Sequence, residues 1–183
     1  MAAKNIMHSQ QTVELVKSCD DALVQKILEL EKRCFPKEWL YDEGFEYYSE
    51  ALEIKENINL LLREDREIAG YLLAVALGRV FDELQKEDPA LENKADFFYL
   101  DTIEIIPASR GRGGAKQLIL TMCEELNNRG VFQFSLHART VNGLNAKIKK
   151  MYPDGIISSR EIKSWHFGGG EKYEYIEWEF NHK

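Results

Sequence analysis

The segment Phe97–Gly130 has the sequence FFYLDTIEIIPASRGRGGAKQLILTMCEELNNRG. Aromatic and β-branched residues dominate its beginning, which predicts a strand over Phe97–Ile105. Apolar residues then recur at helical spacing through residues 118–126, and the final glycine predicts where this helix stops. Between the two elements, Ser109–Ala115 is a loop with three glycines, where the backbone can turn tightly and approach a ligand closely.

This loop, at the start of a helix, predicts an anion-binding site. The first turn of a helix has unpaired N–H groups and a partial positive charge. Arg110 and Arg112 add two guanidinium groups, whose shape matches phosphate oxygens. We therefore expect a cofactor that carries phosphate groups.

The residues after the glycines narrow the choice of cofactor. A nucleotide-hydrolase loop needs a hydroxyl residue after its lysine to hold magnesium, but Lys116 is followed by Gln117. The dinucleotide fingerprint needs a third glycine, or an alanine, at the position of Lys116. Both ATP and NAD therefore fit this loop poorly.

Two stretches, Ile103–Ala115 and Asn145–Tyr152, resemble motifs of the GNAT superfamily, the acyl-CoA-dependent N-acyltransferases. The pattern Arg-x-x-Gly-x-Ala, from Arg110 to Ala115, resembles the pyrophosphate loop of that family, and Ile103–Pro107 resembles its hydrophobic-x-hydrophobic-x-Pro approach. Asn145–Tyr152 is similar to the family's Asn-x-x-Ala-x-x-Leu-Tyr, with isoleucine and methionine as departures. The order of elements over residues 11–180 is compatible with the family fold.

The predicted fold class is α/β (α+β), in one N-acetyltransferase domain over residues 1–183 with a core at about 11–180. We expect a single mixed, mostly antiparallel sheet of six or seven strands, flanked by helices. The insertion at about 78–96 is predicted to be a long loop or a short helix. The strand, helix and strand over residues 97–138 predict a parallel pair. The resemblance implies that this pair splays apart and that the cofactor lies in the gap.

Net charge, the lengths of apolar runs and the spacing of cysteines limit the classes of binding partner and the cell compartments that we expect for this protein. A net charge of −7 argues against a dedicated nucleic-acid binder, which needs a basic face. No apolar run approaches the ~20 residues of a membrane span, and the first residues lack the apolar core of a secretion signal. Cys19, Cys34 and Cys123 form neither a disulfide framework nor a zinc pattern, so we expect a cytoplasmic protein without a metal site. The sequence does not decide between a monomer and a homodimer.

The resemblance implies that acetyl-CoA is the acyl-donor cosubstrate. Its pantetheine arm would pair with the backbones of Ile103 and Ile105 as an added strand and would also contact Asn145. Its pyrophosphate would be held, mainly through backbone N–H groups, by Arg110, Gly111, Arg112, Gly113, Gly114, Ala115 and Lys116.

The reaction needs a base, because a primary amine with a pKa near ~10.4 is mostly ammonium at neutral pH. Side chains alternate along a strand, so we expect one face to carry Tyr99, Asp101, Ile103 and Ile105 and the other to carry Leu100, Thr102 and Glu104. The resemblance favours Asp101 as the base. A β-bulge in this strand would shift the alternation and favour Glu104. His137 lies where some family members carry a glutamate, so it is a third candidate.

Tyr152 is predicted to donate the proton that the leaving thiolate takes up. The sequence thus predicts an N-acetyltransferase that acts by direct attack on a small-molecule or peptide amine. The alternatives are a catalytically inactive acyl-CoA-binding sensor or scaffold module and, with less support, a nucleotide-binding protein.

Overall fold

A seven-stranded sheet forms the centre of the computed structural model, which describes residues 10–40, 42–163, 165 and 171–180. In chain order the strands are β1 (Gln11–Leu15), β2 (Ile58–Glu64), β3 (Glu67–Ala76), β4 (Phe97–Ile105), β5 (Gln133–Arg139), β6 (Ile156–Ile162) and β7 (Tyr173–Glu179). Across the sheet their order is β1-β2-β3-β4-β5-β7-β6, and every neighbouring pair is antiparallel except β4 and β5. The predicted fold class is therefore confirmed.

Within this described part of the chain, five α-helices cover the two faces of the sheet: α1 (Asp21–Cys34), α2 (Gly44–Glu53), α3 (Leu77–Glu87), α4 (Gly114–Asn128) and α5 (Leu144–Met151). On one face, the ring of Tyr48 from α2 meets the ring of Tyr71 edge-on at a centroid distance of 5.8 Å. On the other face, α4 begins against Leu62 and Ile105. The sheet is thus enclosed between α1 and α2 on one side and α4 on the other.

Local sequence accounts for the boundaries of several elements. The Asp20 carboxylate caps α1 by accepting a hydrogen bond from the backbone N–H of Leu23 at 2.7 Å, and the helix ends at Phe35, before a proline. The sequence predicts a helix that Asp20 or Asp21 caps and that runs to about Cys34, and the structure confirms it. Strand β4 also spans the predicted residues.

For two other segments the sequence leaves more than one structure open. The segment 39–54, whose aromatic residues predict a helix or a helical loop, contains the helix α2, which a short 3-10 turn (Lys37–Trp39) precedes. Most of the predicted insertion is the regular helix α3, whose Val80, Phe81 and Leu84 pack against the core at helical spacing. Mixed charges around these three residues hid that periodicity. The sequence predicts the last two strands over residues 156–166 and 172–180, on either side of three glycines, and residues 166–170 lie outside the described part of the chain.

The parallel strands β4 and β5 pair only at their beginnings. Residues Phe97–Tyr99 lie opposite Gln133–Ser135, and no further pair joins the two strands. Because β4 continues to Ile105 beside β3 alone, the two strands diverge and leave a gap in the sheet. This is the splayed pair that the resemblance implied.

A β-bulge in β4 corrects the predicted alternation of side chains. Leu73 of β3 lies opposite Thr102, but the next residue of β3 lies opposite Leu100, so Asp101 is an extra residue without a partner. After the bulge, Glu104 lies on the same face as Tyr99, and the expectation that Tyr99 shares a face with the isoleucines is wrong. The face that carries Glu104 is the one covered by α1 and α2.

Candidate active site

The gap between β4 and β5 opens into a groove of about 1010 Å³. It is lined by the end of β4, the start of α4, one side of α5 and the chain that leaves α1. Most of the predicted site residues line it, namely Ile103, Glu104, Ile105, Arg110, Gly111, Gly113, Gly114, Ala115, Lys116 and Tyr152. The predicted residues Asp101, Arg112 and Asn145 do not belong to the described lining.

The start of α4 presents free backbone donors to the groove. The first hydrogen bond of the helix runs from the N–H of Gln117 to the carbonyl of Gly113 at 3.0 Å. The N–H groups of residues 114–116 therefore precede the helical ladder and have no acceptor among the described residues. Gly113 has a φ of 91°, which favours glycine, and a Cβ on Gly114 would overlap the side chain of Leu62. The glycines thus allow both the turn and the close packing that expose these donors.

The two arginines of the loop do not form the expected guanidinium fork. Arg110 lines the groove, but its Nε donates to the carbonyl of Ile105 at 2.8 Å, so it braces the loop against β4. The Arg112 guanidinium forms an ion pair with Glu64 of β2. In this arrangement both arginines contact other parts of the protein, whereas the backbone N–H groups of residues 114–116 have no acceptor among the described residues.

The groove is basic although the chain is acidic. Glu104 is the one acidic residue in its described lining, and it is accompanied by five cationic residues: Arg110, Lys116, Arg139, Lys147 and Lys150. Sequence reasoning missed Lys147 and Lys150. Their spacing of three residues on a short helix is the signal that could have placed them on one face.

Glu104 is a buried carboxyl without a partner. The residue is 3% exposed, and neither carboxylate oxygen has a hydrogen-bond partner among the described residues. Burial, followed by the nearby Glu31 carboxylate, raises the pKa of Glu104 to about 8, and the opposing effect of the Cys34 thiol is smaller. Glu31 itself accepts a hydrogen bond from Tyr48 at 3.0 Å. Buried polar groups are normally paired, so an unpaired carboxyl in a groove wall marks a functional candidate.

Asp101, by contrast, is hydrogen-bonded within the protein through one of its two carboxylate oxygens, Oδ2. Its carboxylate accepts hydrogen bonds from the Tyr47 hydroxyl and, at 3.1 Å, from the Thr102 hydroxyl. Burial raises the pKa of this carboxyl although the residue as a whole is partly exposed, and the two hydroxyl donors lower it by a smaller amount.

Both ring nitrogens of His137 are also occupied. Nδ1 lies 3.1 Å from the Tyr99 hydroxyl and Nε2 lies 2.9 Å from the carboxylate of Asp88, which also pairs with Arg160. The imidazole is fully buried and packs against the ring of Trp165, and burial lowers its pKa. Because Asp88 needs a donor, Nε2 carries the proton and Nδ1 accepts from Tyr99. His137 is therefore a structural residue that joins distant parts of the chain.

Tyr152 lies at the other wall of the groove, directly after α5. Its backbone N–H donates to the carbonyl of Ile148 at 3.1 Å, and its own carbonyl accepts a hydrogen bond from Trp178 at 3.0 Å. Burial, followed by the adjacent Cys123 thiol, raises the pKa of its hydroxyl to about 12. The hydroxyl therefore keeps its proton at neutral pH and can donate it.

Asn145 is buried beside the groove and faces β7. Its amide nitrogen donates to the Glu174 carboxylate at 3.0 Å, while its carbonyl oxygen is buried without a partner among the described residues. Direct contact with a bound cofactor would require a rearrangement of this side chain. The predicted role of Asn145 remains a prediction.

Neither a metal cluster nor a membrane span is found in the described part of the chain. No group of three or more histidine, cysteine, aspartate or glutamate side chains there is arranged to hold a metal ion. None of the helices in the same residues is long and apolar enough to cross a bilayer.

Comparison with solved structures places this fold among acetyltransferases. The ribosomal-protein-S18-alanine N-acetyltransferase of Escherichia coli is 15% identical, with a TM-score of 0.64 over 95% of this chain and 96% of that one. An N-acetyltransferase from Staphylococcus aureus is 12% identical, with a TM-score of 0.66 over 93% and 99% of the two chains. The yncA protein of Salmonella typhimurium, solved with its cofactor acetyl-CoA, is 12% identical, with a TM-score of 0.63 over 94% and 95%.

At these sequence identities the structural similarity establishes only the fold. The family to which the chain belongs is established by a family model. A search of curated protein sequences finds no match. The model of the acetyltransferase (GNAT) family matches residues 24–152, which include β4, the glycine loop, α4 and the motif that ends at Tyr152. This chain therefore belongs to the acetyltransferase (GNAT) family.

Proposed function

We propose that the protein is an N-acetyltransferase that transfers an acetyl group from acetyl-CoA to a primary amine. The observation that carries this proposal is a basic groove that has free N–H donors at one end and two proton-transfer groups, Glu104 and Tyr152, in its walls. Family membership supports acyl-CoA as the donor. The acetyl-CoA in the yncA structure supports the acetyl form.

The N–H groups at the start of α4 would hold the pyrophosphate, with Lys116 beside them. The pantetheine arm would follow the edge of β4 that β5 leaves free, pairing with the backbones of Ile103 and Ile105. This path leads from the glycine loop into the gap between the strands. A backbone N–H of the same strand edge would stabilise the oxyanion of the tetrahedral intermediate.

We assign the role of general base to Glu104. A desolvated carboxylate beside an ammonium group favours proton transfer to give a neutral acid and a neutral amine, and only the neutral amine can attack the thioester. A carboxyl pKa of about 8 is well matched to this transfer. Because the carboxylate oxygens are covered, the proton would pass through one water molecule or after a small rotation of the side chain. Asp101, whose carboxylate is already bonded, is the second candidate.

Tyr152 would complete the reaction as general acid. The collapse of the tetrahedral intermediate breaks the carbon–sulfur bond and releases a thiolate, with an intrinsic pKa near ~8.5. A tyrosine hydroxyl that stays protonated at neutral pH can donate to this sulfur. The products are then the acetylated amine and free coenzyme A.

The acceptor would be a small molecule or a peptide with a free amine. We also infer a cytoplasmic location, which the three cysteines support because none of them forms a disulfide.

Two measurements test the proposal. Calorimetry should show that acetyl-CoA binds and that ATP and NAD bind more weakly. A panel of polyamines, amino sugars, amino acids and short peptides should then be screened with acetyl-CoA, with free thiol as the readout. Binding without thiol release for any acceptor would favour the catalytically inactive sensor or scaffold.

The assignment of the base is tested by a matched pair of variants. Glu104→Gln should lower turnover by roughly 10²–10⁴-fold and keep the affinity for acetyl-CoA, whereas Asp101→Asn should retain most of the activity. If Asp101→Asn has the larger effect on turnover at unchanged stability, Asp101 is the base.

A further inference from the structure

Helix α5 presents two lysines to the groove and turns a third away from it. Lys147 and Lys150 are three residues apart, which places them on one face of the helix, and both line the groove. Lys149, between them, forms an ion pair with Glu174 of β7 instead. Two of these three lysines therefore face the groove, and the third forms an ion pair within the protein.

The two groove lysines carry charge that the protein does not neutralise. Neither has a carboxylate within ion-pair distance among the described residues, although the chain has 31 acidic side chains and 24 basic ones. On an acidic protein, an unneutralised pair of ammonium groups beside a cavity favours an anionic ligand there. Two ammonium groups on one face suit a doubly charged phosphate monoester.

In the proposed function, the start of α4 accounts for only two of the three phosphate groups of coenzyme A. In the proposed function, the free N–H groups of residues 114–116 and Lys116 receive the pyrophosphate. Coenzyme A carries one more phosphate, a monoester on the 3′ carbon of its ribose. The lysine pair on α5 lines the same groove from a different element and is not needed for the pyrophosphate.

We propose that Lys147 and Lys150 bind the 3′-phosphate of coenzyme A. This inference rests on the proposed function, since it takes the acyl donor to be acyl-CoA. It adds a specificity: the protein selects donors that carry the phosphorylated adenosine. An acyl group on phosphopantetheine alone, as on a carrier protein, lacks the group that the two lysines recognise.

The test compares coenzyme A with 3′-dephospho-coenzyme A by calorimetry on the full chain. The variants are Lys147→Gln/Lys150→Gln, the rescue Lys147→Arg/Lys150→Arg, and the charge-matched control Lys26→Gln/Lys55→Gln, whose lysines are exposed and outside the described groove. Circular dichroism and thermal melting confirm that each variant is folded.

We expect wild-type protein to bind coenzyme A about tenfold more tightly than the dephospho form, because the dephospho form lacks the phosphate that would form charge-assisted bonds with the two lysines. The glutamine double variant should lose about tenfold in affinity for coenzyme A and hardly any for the dephospho form, so that its preference disappears. The arginine variant and the Lys26/Lys55 control should keep the preference for coenzyme A over its dephospho form. Increasing salt should reduce it in the wild type.

Equal losses for both ligands in the glutamine variant would overturn the proposal, because the lysines would then act on the pyrophosphate or only through their general charge. An unchanged preference in that variant would also overturn it. If wild-type protein binds neither ligand, the proposed function itself fails. If wild-type protein binds both ligands but does not prefer coenzyme A, this inference fails and the proposed function stands.

Discussion

Replacing Glu104 by glutamine should stabilise the protein increasingly as the pH rises. Wild-type Glu104 is 3% exposed and has no hydrogen-bond partner in the described structure, so the folded state disfavours its charged form. Its pKa is raised from 4.5 to about 8, mainly by burial. A raised pKa means that the folded state binds the proton more tightly than the unfolded state, so stability is lost as the pH rises from 4.5 through about 8.

The size of the effect follows from this shift. At about 1.4 kcal/mol per pH unit, the complete penalty above the folded pKa is about 5 kcal/mol of unfolding free energy. About 1 kcal/mol of it is present at about pH 5.5, where the unfolded carboxyl is ionised and the folded one is not. The difference in unfolding free energy between Glu104→Gln and wild type should therefore grow by roughly 3–4 kcal/mol between about pH 5.5 and pH 9.

Urea denaturation of both proteins at a series of pH values measures this difference. Glu29→Gln is the control, because Glu29 is an exposed residue of α1, the helix that also carries Glu31. Its effect on stability should not change with pH over the same range. A difference for Glu104→Gln that stays constant within about 0.5 kcal/mol would refute the reasoning, because it would mean that water or a rearranged donor already satisfies this carboxylate.

Three further predictions concern the glycine loop, the proton donor and the buried histidine. Gly113→Val should weaken acetyl-CoA binding, because φ at this position is 91° and a β-branched residue strains the turn that exposes the N–H donors; unchanged affinity by calorimetry would contradict this. Tyr152→Phe should lower turnover while acetyl-CoA affinity and melting temperature persist, and the defect should shrink with a donor whose leaving thiol is more acidic; wild-type turnover under conditions where chemistry is rate-limiting would make Tyr152 a packing residue. Asp88→Asn should lower the unfolding free energy by about 2 kcal/mol near neutral pH. Burial raises the pKa of Asp88, but the hydrogen bonds from His137 and Arg160 have the larger combined effect and lower this pKa to about 2. Since the folded pKa is below the ordinary 3.8, the stability that ionised Asp88 contributes is present above pH 3.8 and is lost as the pH falls through about 2. Equal acid denaturation profiles of Asp88→Asn and wild type would contradict this prediction.

The sequence by itself determined the central unit of this protein. Strand β4, the glycine loop and α4 follow from local rules: β-branched and aromatic residues, a left-handed turn that needs Gly113, and apolar residues at helical spacing. The start of α1 at Asp20 is equally local, because a capping carboxylate bonds an N–H three residues later. From these elements and two short motifs, both the fold class and the groove could be predicted.

The tertiary structure alone decided which side chains face that groove. The bulge at Asp101 depends on how β3 pairs with β4, and it sets the face on which Glu104 lies. The network of His137 joins β5 to Asp88 and Arg160, which lie 49 residues before it and 23 after it along the chain. Likewise, the ion pair that Lys149 forms with Glu174 depends on how α5 packs beside β7. Each of these outcomes rests on contacts between residues distant in sequence, and the local spacing of side chains carries no information about such contacts.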